Sequence, residues 1–169
     1  MPSPPGNVDA SGDDERVIEQ FPKFTVHAYE PEPYNFSVLK ANCELNDLKN
    51  VELHNVAVSN VAGPATLYKS LECQGMHRLF PSAYGKGGTV AVQTETLKGD
   101  FDFLKVDVEG MEMQVLEGMN SKPASMVVEY VPWELPKPFE VLYWIWRAGY
   151  YTKQVDNHNI FCASEVEAS

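Results

Sequence analysis

Apolar side chains recur along the chain in two rhythms: a period of about two in short runs bounded by Pro, Gly or Asn, and about 3.6 in longer ones. "FTVHAY" (24–29) reads as a strand, ended by Pro31 and Pro33, which cannot donate to a ladder. "NVELHNVAVS" supplies a second strand from Val51, and "AGPATLY" with "GGTVAVQTETL" predicts an extended excursion with Gly-rich turns. "FLKVDV" (103–108) and "SMVVEYV" (125–131) are further apolar strands, and "YYTKQV" and "NIFCAS", joined by "DNHN", predict a closing antiparallel hairpin. Between them the helical period places Phe36, Leu39 and Cys43 on one face and Met111, Val115 and Met119 on another. In "PFEVLYWIWRAGY" it points Leu142, Ile145 and Trp146 inward, with Gly149 closing the helix. "DDERVIEQF" (13–21) is expected to be a short helix with acids in its first turn. Residues 1–12, rich in Pro, Gly, Ser and Asp, are expected to form a loose tail, and residues 13–165 one domain.

Strands alternating with amphipathic helices imply parallel pairing, because parallel neighbours need a helical crossover. The expected fold class is α/β and Rossmann-like, mainly parallel with a C-terminal antiparallel hairpin. Ligands of such sheets bind beyond the carboxyl ends of the strands. In "FDFLKVDVEGMEMQVLEG" (101–118) that is where Asp107, Glu109 and Glu112 fall.

Composition narrows the chemistry. The net charge of −11, from 13 basic and 24 acidic side chains, opposes binding to nucleic acid or to an anionic membrane surface. No apolar run approaches the ~20 residues of a membrane span, and "MPSPPGNVDASGDDE" lacks the basic and apolar regions of a signal peptide, so a soluble cytoplasmic protein is expected. Cys43, Cys73 and Cys162 fit neither a disulfide framework nor a Cys-x-x-Cys site. His27, His54, His77 and His158 show no metal-ligand spacing, and no metal is expected.

Glu30 closes its strand, where a carboxylate can accept both hydroxyl hydrogens of a ribose or can be a solvated loop acid. "AYEPEPYNFSVLKANCELN", then "VELHNVAVSN", then "DFLKVDVEGMEMQVLEG" resemble, in order and spacing, the FkbM-type methyltransferases that use S-adenosylmethionine. The resemblance runs from about Phe21 to Gly118, with "EYVPW" and the C-terminal hairpin adding to it. It implies a methyltransferase-like domain over 13–165, with S-adenosylmethionine as cofactor and Glu30 on its ribose. It also implies that Asn55 and Val56 lie near the adenine, though Asn55 can equally cap the turn after its strand.

Asp107 and Glu109 then border the transferred methyl group, as general base or as ligands of the acceptor, with Asp107 counted on the cofactor side as well. Lys105 shares a strand face with Asp107 and is expected to pair with it. Gly110 lets the backbone approach closely at the helix start, and Glu112 is expected to compensate a helix dipole. The resemblance places "QGMHRLFPSAYGKGG" (74–88) over the site, with His77 and Arg78 as candidate acceptor ligands. Glu129 faces the same mouth, to bind substrate or orient Lys105. The aromatic stripe Tyr143, Trp144 and Trp146 reads as core. The expected partners are a small-molecule hydroxyl acceptor on a sugar, polyketide or similar metabolite, and a second copy of the chain in a homodimer.

The sequence departs from the family before Glu30. An apolar first strand and an Asp-x-Gly-x-x-x-Gly turn are expected there, yet "NVDASGDDERVIEQF" keeps only Val8, Asp9 and Gly12 of them. Two lost hydrogen bonds to a charged group, at ~1.5–3 kcal/mol each, weaken binding by roughly a hundredfold or more. The first strand is therefore expected to be missing or shortened. Two readings stay open: an O-methyltransferase with a shortened cofactor turn, and a truncated or non-catalytic relative that keeps the fold for binding or assembly.

Overall fold

A computed structural model describes residues 24–71, 73, 75–81, 86–132, 135 and 137–164. The tail, the helix expected over 13–21 and the degenerate glycine turn lie outside the described residues. Among those described, nine strands fall into three groups. β1 (Val26–Tyr29) pairs in parallel with β2 (Val51–His54) across the helix α1 (Pro33–Leu45). β3 (Ala57–Val58) lies parallel to β5 (Thr89–Glu95), which is antiparallel to β4 (Gly63–Tyr68). The third sheet has the order β6-β7-β9-β8, from β6 (Phe103–Val106), β7 (Ser125–Glu129), β8 (Tyr150–Gln154) and β9 (Asn159–Ser164).

The architecture is α/β, mixing parallel with antiparallel pairs and carrying the C-terminal hairpin that the sequence predicts. Asp156 sets that hairpin: its carboxylate accepts the N–H groups of His158 and Asn159, at 2.7 and 2.8 Å. β1 and β6 do not pair with each other among the described residues.

Local chemistry explains the elements. Pro33 at the first turn of α1 forgoes a donor that would be unsatisfied there, and Glu32 caps the helix by accepting the Asn35 N–H at 2.8 Å. Phe36 and Leu39 are half-buried and Cys43 is buried, as the helical period predicts. The main core lies between the third sheet and the helices α2 (Glu112–Gly118) and α3 (Pro138–Arg147). Val106, Val115, Leu116, Met126, Val128, Val141 and Ile145 fill it. At the end of α2, Gly118 lies against the backbone of β3's exit: a Cβ there would overlap the Ser59 carbonyl.

Two expectations about α3 are corrected. Trp146 points outward, 71% exposed, and Tyr143 is exposed as well. The buried stripe is Val141 and Ile145, with Trp144 packed against its margin. The apolar side of the helix runs through Val141 and Ile145, and β8 and α2 cover that side. Among the described residues no helix is long and apolar enough to cross a membrane.

Candidate functional site

The carboxyl ends of β6 and β7 gather four acids. Beyond Val106 the chain turns sharply, and Glu109 and Gly110 both take positive φ, 54° and 96°. Glycine occupies that conformation freely, whereas a glutamate does so at a cost, so the loop is held by its contacts. The principal one comes from Glu112. Its side chain is fully buried, and Oε1 accepts the Gly110 N–H at 3.0 Å and the Val108 N–H at 3.4 Å. Burial raises its pKa, and the nearby Asp107 adds to that, against the opposing backbone hydrogen bonds. Glu112 lies in the first turn of α2, where a dipole-compensating residue is expected, and its buried carboxylate also staples the loop from beneath. The "EG" before it and its own backward reach are local, but its burial depends on the sheet above.

Asp107, Glu109 and Glu129 each bring one carboxylate oxygen within 4.8 Å of the others. Glu129, at the end of β7, is hydrogen-bonded to Asp107, and its pKa is pushed up to about 8, by burial first and then by the charges of Asp107, Glu109 and Glu112. Glu129 therefore keeps its proton at neutral pH. Lys105 Nζ stands 3.8 Å from Asp107 Oδ2. Both side chains are about one third exposed, 38% and 32%, so the pair is half-open to water rather than buried in the strand.

The end of β1 carries a second set. Glu30 Oε1 accepts the Glu32 N–H at 2.7 Å, and Asn35 donates to the same carboxylate. Burial raises the pKa of Glu30, and the neighbouring Glu32 charge contributes. Glu32 itself is buried and bonded to Lys69 Nζ at 2.8 Å. Burial pushes its carboxyl up, but the Lys69 ammonium and the backbone donors outweigh that and hold it below its ordinary value. Asn55 Nδ2 donates to the Glu30 carbonyl at 2.8 Å and the Pro31 carbonyl at 3.3 Å, which ties the ends of β1 and β2 together. Val56 is half-buried between β2 and β3.

The segment after β4 bridges the two sets. Lys69 holds Glu32 at one end, and at the other the buried Arg78 places Nη2 3.3 Å from Glu109 Oε2, with its guanidinium 5.8 Å from the centre of the Phe80 ring. Arg78 also exchanges backbone hydrogen bonds with Tyr68. His77 Nδ1 accepts the Ser70 N–H at 3.1 Å, so the neutral ring carries its proton on Nε2. Burial lowers its pKa, and Lys69 adds to that against the opposing pull of Glu32. His77 Nε2 is buried and has no partner among the described residues.

Sequence reasoning missed Glu32 and Lys69. Glu32 had a signal, since an acid followed by proline marks a helix start; Lys69 had none, because its partner lies in another element.

The family model described as "Methyltransferase FkbM domain" matches residues 8–151. The chain belongs to the FkbM methyltransferase family.

Relatives of this FkbM domain agree. "Methyltransferase 1" of Beauveria bassiana (strain ARSEF 2860) is 29% identical over 61% of the chain and 52% of its own length. "Methyltransferase sdnD" of Sordaria araneosa is 29% identical over 79% of the chain and 68% of its own length. In three dimensions the chain is similar to the crystal structure of methyltransferase FkbM from Methylobacillus flagellatus KT, with a TM-score of 0.56 and 15% identity. That likeness covers 90% of this chain and 41% of the solved one, and it establishes the fold. The chain spans about half the length of the first of these relatives.

Proposed function

We propose that this FkbM domain transfers a methyl group from S-adenosylmethionine to a hydroxyl of a small metabolite such as a sugar or polyketide. The observation that carries the reading is the meeting of Asp107, Glu109 and Glu129 at the carboxyl ends of two strands, where the Glu129 carboxyl is pushed up to about 8. Burial raises the Glu129 carboxyl first, and the negative charges of Asp107, Glu109 and Glu112 add to it; a sulfonium alongside would offset those charges. The donor set therefore fits the cofactor: Glu30 for the ribose hydroxyls, and the acid cluster for the positive end.

When bound, S-adenosylmethionine supplies an electrophilic methyl group. Glu30 accepts hydrogen bonds from the ribose. Glu129, hydrogen-bonded to Asp107, takes the hydroxyl proton in its ionised form as the acceptor oxygen becomes nucleophilic, and a cation alongside favours that form. Arg78 holds Glu109 and through it the loop, Glu112 fixes the loop from below, and His77 offers Nε2–H to an oxygen of the acceptor. The net charge of −11 favours a neutral or cationic acceptor over a polyanion.

Calorimetric titration with S-adenosylhomocysteine tests the reading. Saturable binding weakened roughly a hundredfold by Glu30→Ala is the expected result, from two lost hydrogen bonds. A folded chain that binds neither S-adenosylmethionine nor S-adenosylhomocysteine would instead be a non-catalytic member that keeps the fold for binding or assembly.

A further inference from the structure

One face of the β1–β2 pair carries a group of side chains that methyl transfer does not use. The parallel register sets His27 beside Glu52 and Tyr29 beside His54, and alternation along each strand puts all four on one face. His27 Nδ1 lies 3.3 Å from His54 Nε2 and 3.5 Å from Glu52 Oε2. One ligand atom from each of His27, Glu52 and His54 lies within 4.8 Å of the other two. The imidazole centres are 5.5 Å apart with the planes inclined by 26°, so the two nitrogens meet across the gap.

We infer that His27, Glu52 and His54 form a Zn²⁺ site. A tetrahedral zinc ion with Zn–N bonds of about 2.0–2.1 Å holds neighbouring ligand atoms about 3.4 Å apart, the separation found here between the nitrogens and between nitrogen and carboxylate. A direct bond between the rings with Glu52 as an ion-pair partner of His27 is the competing arrangement, but 3.3 and 3.5 Å are long for hydrogen bonds, and one His27 nitrogen would have to serve both neighbours. Two imidazoles and one carboxylate select zinc over the hard cations magnesium and calcium, and leave the fourth position to water. The side chains of His27 and Glu52 are 31% and 61% exposed, so an ion reaches them without unfolding the sheet.

The rings are held for this role. His54 stacks on Tyr29, with centres 4.4 Å apart at 12°, and His27 meets the Phe101 ring edge-on at 5.7 Å. Such packing fixes ligand orientation before the ion arrives. The site also has a consequence for its neighbours: the His54 carbonyl accepts the Glu30 N–H at 3.0 Å, and Asn55 follows directly. An ion bridging β1 and β2 ties together the two strand ends that carry Glu30 and Asn55. The site itself stands independently of the methyl-transfer reading.

The experiment uses protein stripped with a chelator and titrated with Zn²⁺ alone, read by calorimetry, with Co²⁺ ligand-field bands as the optical signature of imidazole ligation. One ion per chain is expected. Loss of an outer-shell partner typically costs about 10–100-fold in metal affinity, so loss of a ligand in His54→Gln or Glu52→Gln should cost roughly a hundredfold or more. Glu52 is exposed, so Glu52→Gln keeps the test open should the histidine variant fold poorly, and His158→Gln should bind as the unaltered chain does. Failure of the unaltered chain to take up Zn²⁺, or full binding by the folded Glu52→Gln and His54→Gln variants, overturns the site.

Discussion

Replacing Glu129 with glutamine removes a titrating group while keeping its shape, and the consequence depends on pH in a defined direction. In the folded protein Glu129 keeps its proton up to about pH 8, held by burial and by the Asp107, Glu109 and Glu112 charges. In the unfolded chain it releases that proton near the ordinary value of 4.5. Between those values the folded state binds more protons than the unfolded one, so stability is fully present below 4.5 and is lost as pH rises through about 8. At about 1.4 kcal/mol per pH unit the whole interval is worth at most ~5 kcal/mol; the carboxyl is partly open to water, and screening reduces the expected difference to about 2 kcal/mol.

Glu129→Gln should therefore match the unaltered protein near pH 5 and exceed its stability by about 2 kcal/mol near pH 8.5. Urea denaturation across that range measures both curves, with an unchanged slope showing that the denatured state is the same. Parallel stability curves, or a variant that is less stable at pH 8.5, would refute the raised pKa of Glu129 and with it the base proposed here.

Other substitutions probe the scaffold. Glu112→Ala strands the buried N–H groups of Val108 and Gly110 and should cost about 1–3 kcal/mol in denaturant unfolding; a neutral effect would mean the loop is held otherwise. Gly118→Ala drives a Cβ into the Ser59 carbonyl and should destabilise by about 1–3 kcal/mol, a loss that a normal melting temperature would contradict. Ile145→Ala should cost about 2–5 kcal/mol and Trp146→Ala within about 0.5, in the reverse order to residue size, because Ile145 is buried and Trp146 is exposed. Lys69→Met should raise the pKa of Glu32, which NMR titration of the carboxyl reads directly; an unmoved value would show that the helix cap alone holds it low.

The sequence by itself determined the order of strands and helices, the C-terminal hairpin, the family resemblance and the carboxylates at the strand ends, because period, turn residues and motif spacing are properties of neighbours along the chain. Glu30, Asp107 and Glu109 were legible for that reason. Trp146 was misplaced because aromatic size was read as core, whereas the apolar side of the helix runs through Val141 and Ile145 and is the side that α2 and β8 cover. Glu112 was undervalued because its carboxylate becomes a staple only when the turn through Glu109 and Gly110 folds back over it. The spacing of His27, Glu52 and His54 says nothing, since their meeting depends on the register of two parallel strands separated by a helix. Lys69 and Arg78 likewise acquire their roles only where the segment after β4 crosses to Glu32 and Glu109. Electrostatic work on a carboxyl depends on distance and burial in space, and those are set by packing between elements that the linear pattern leaves undefined.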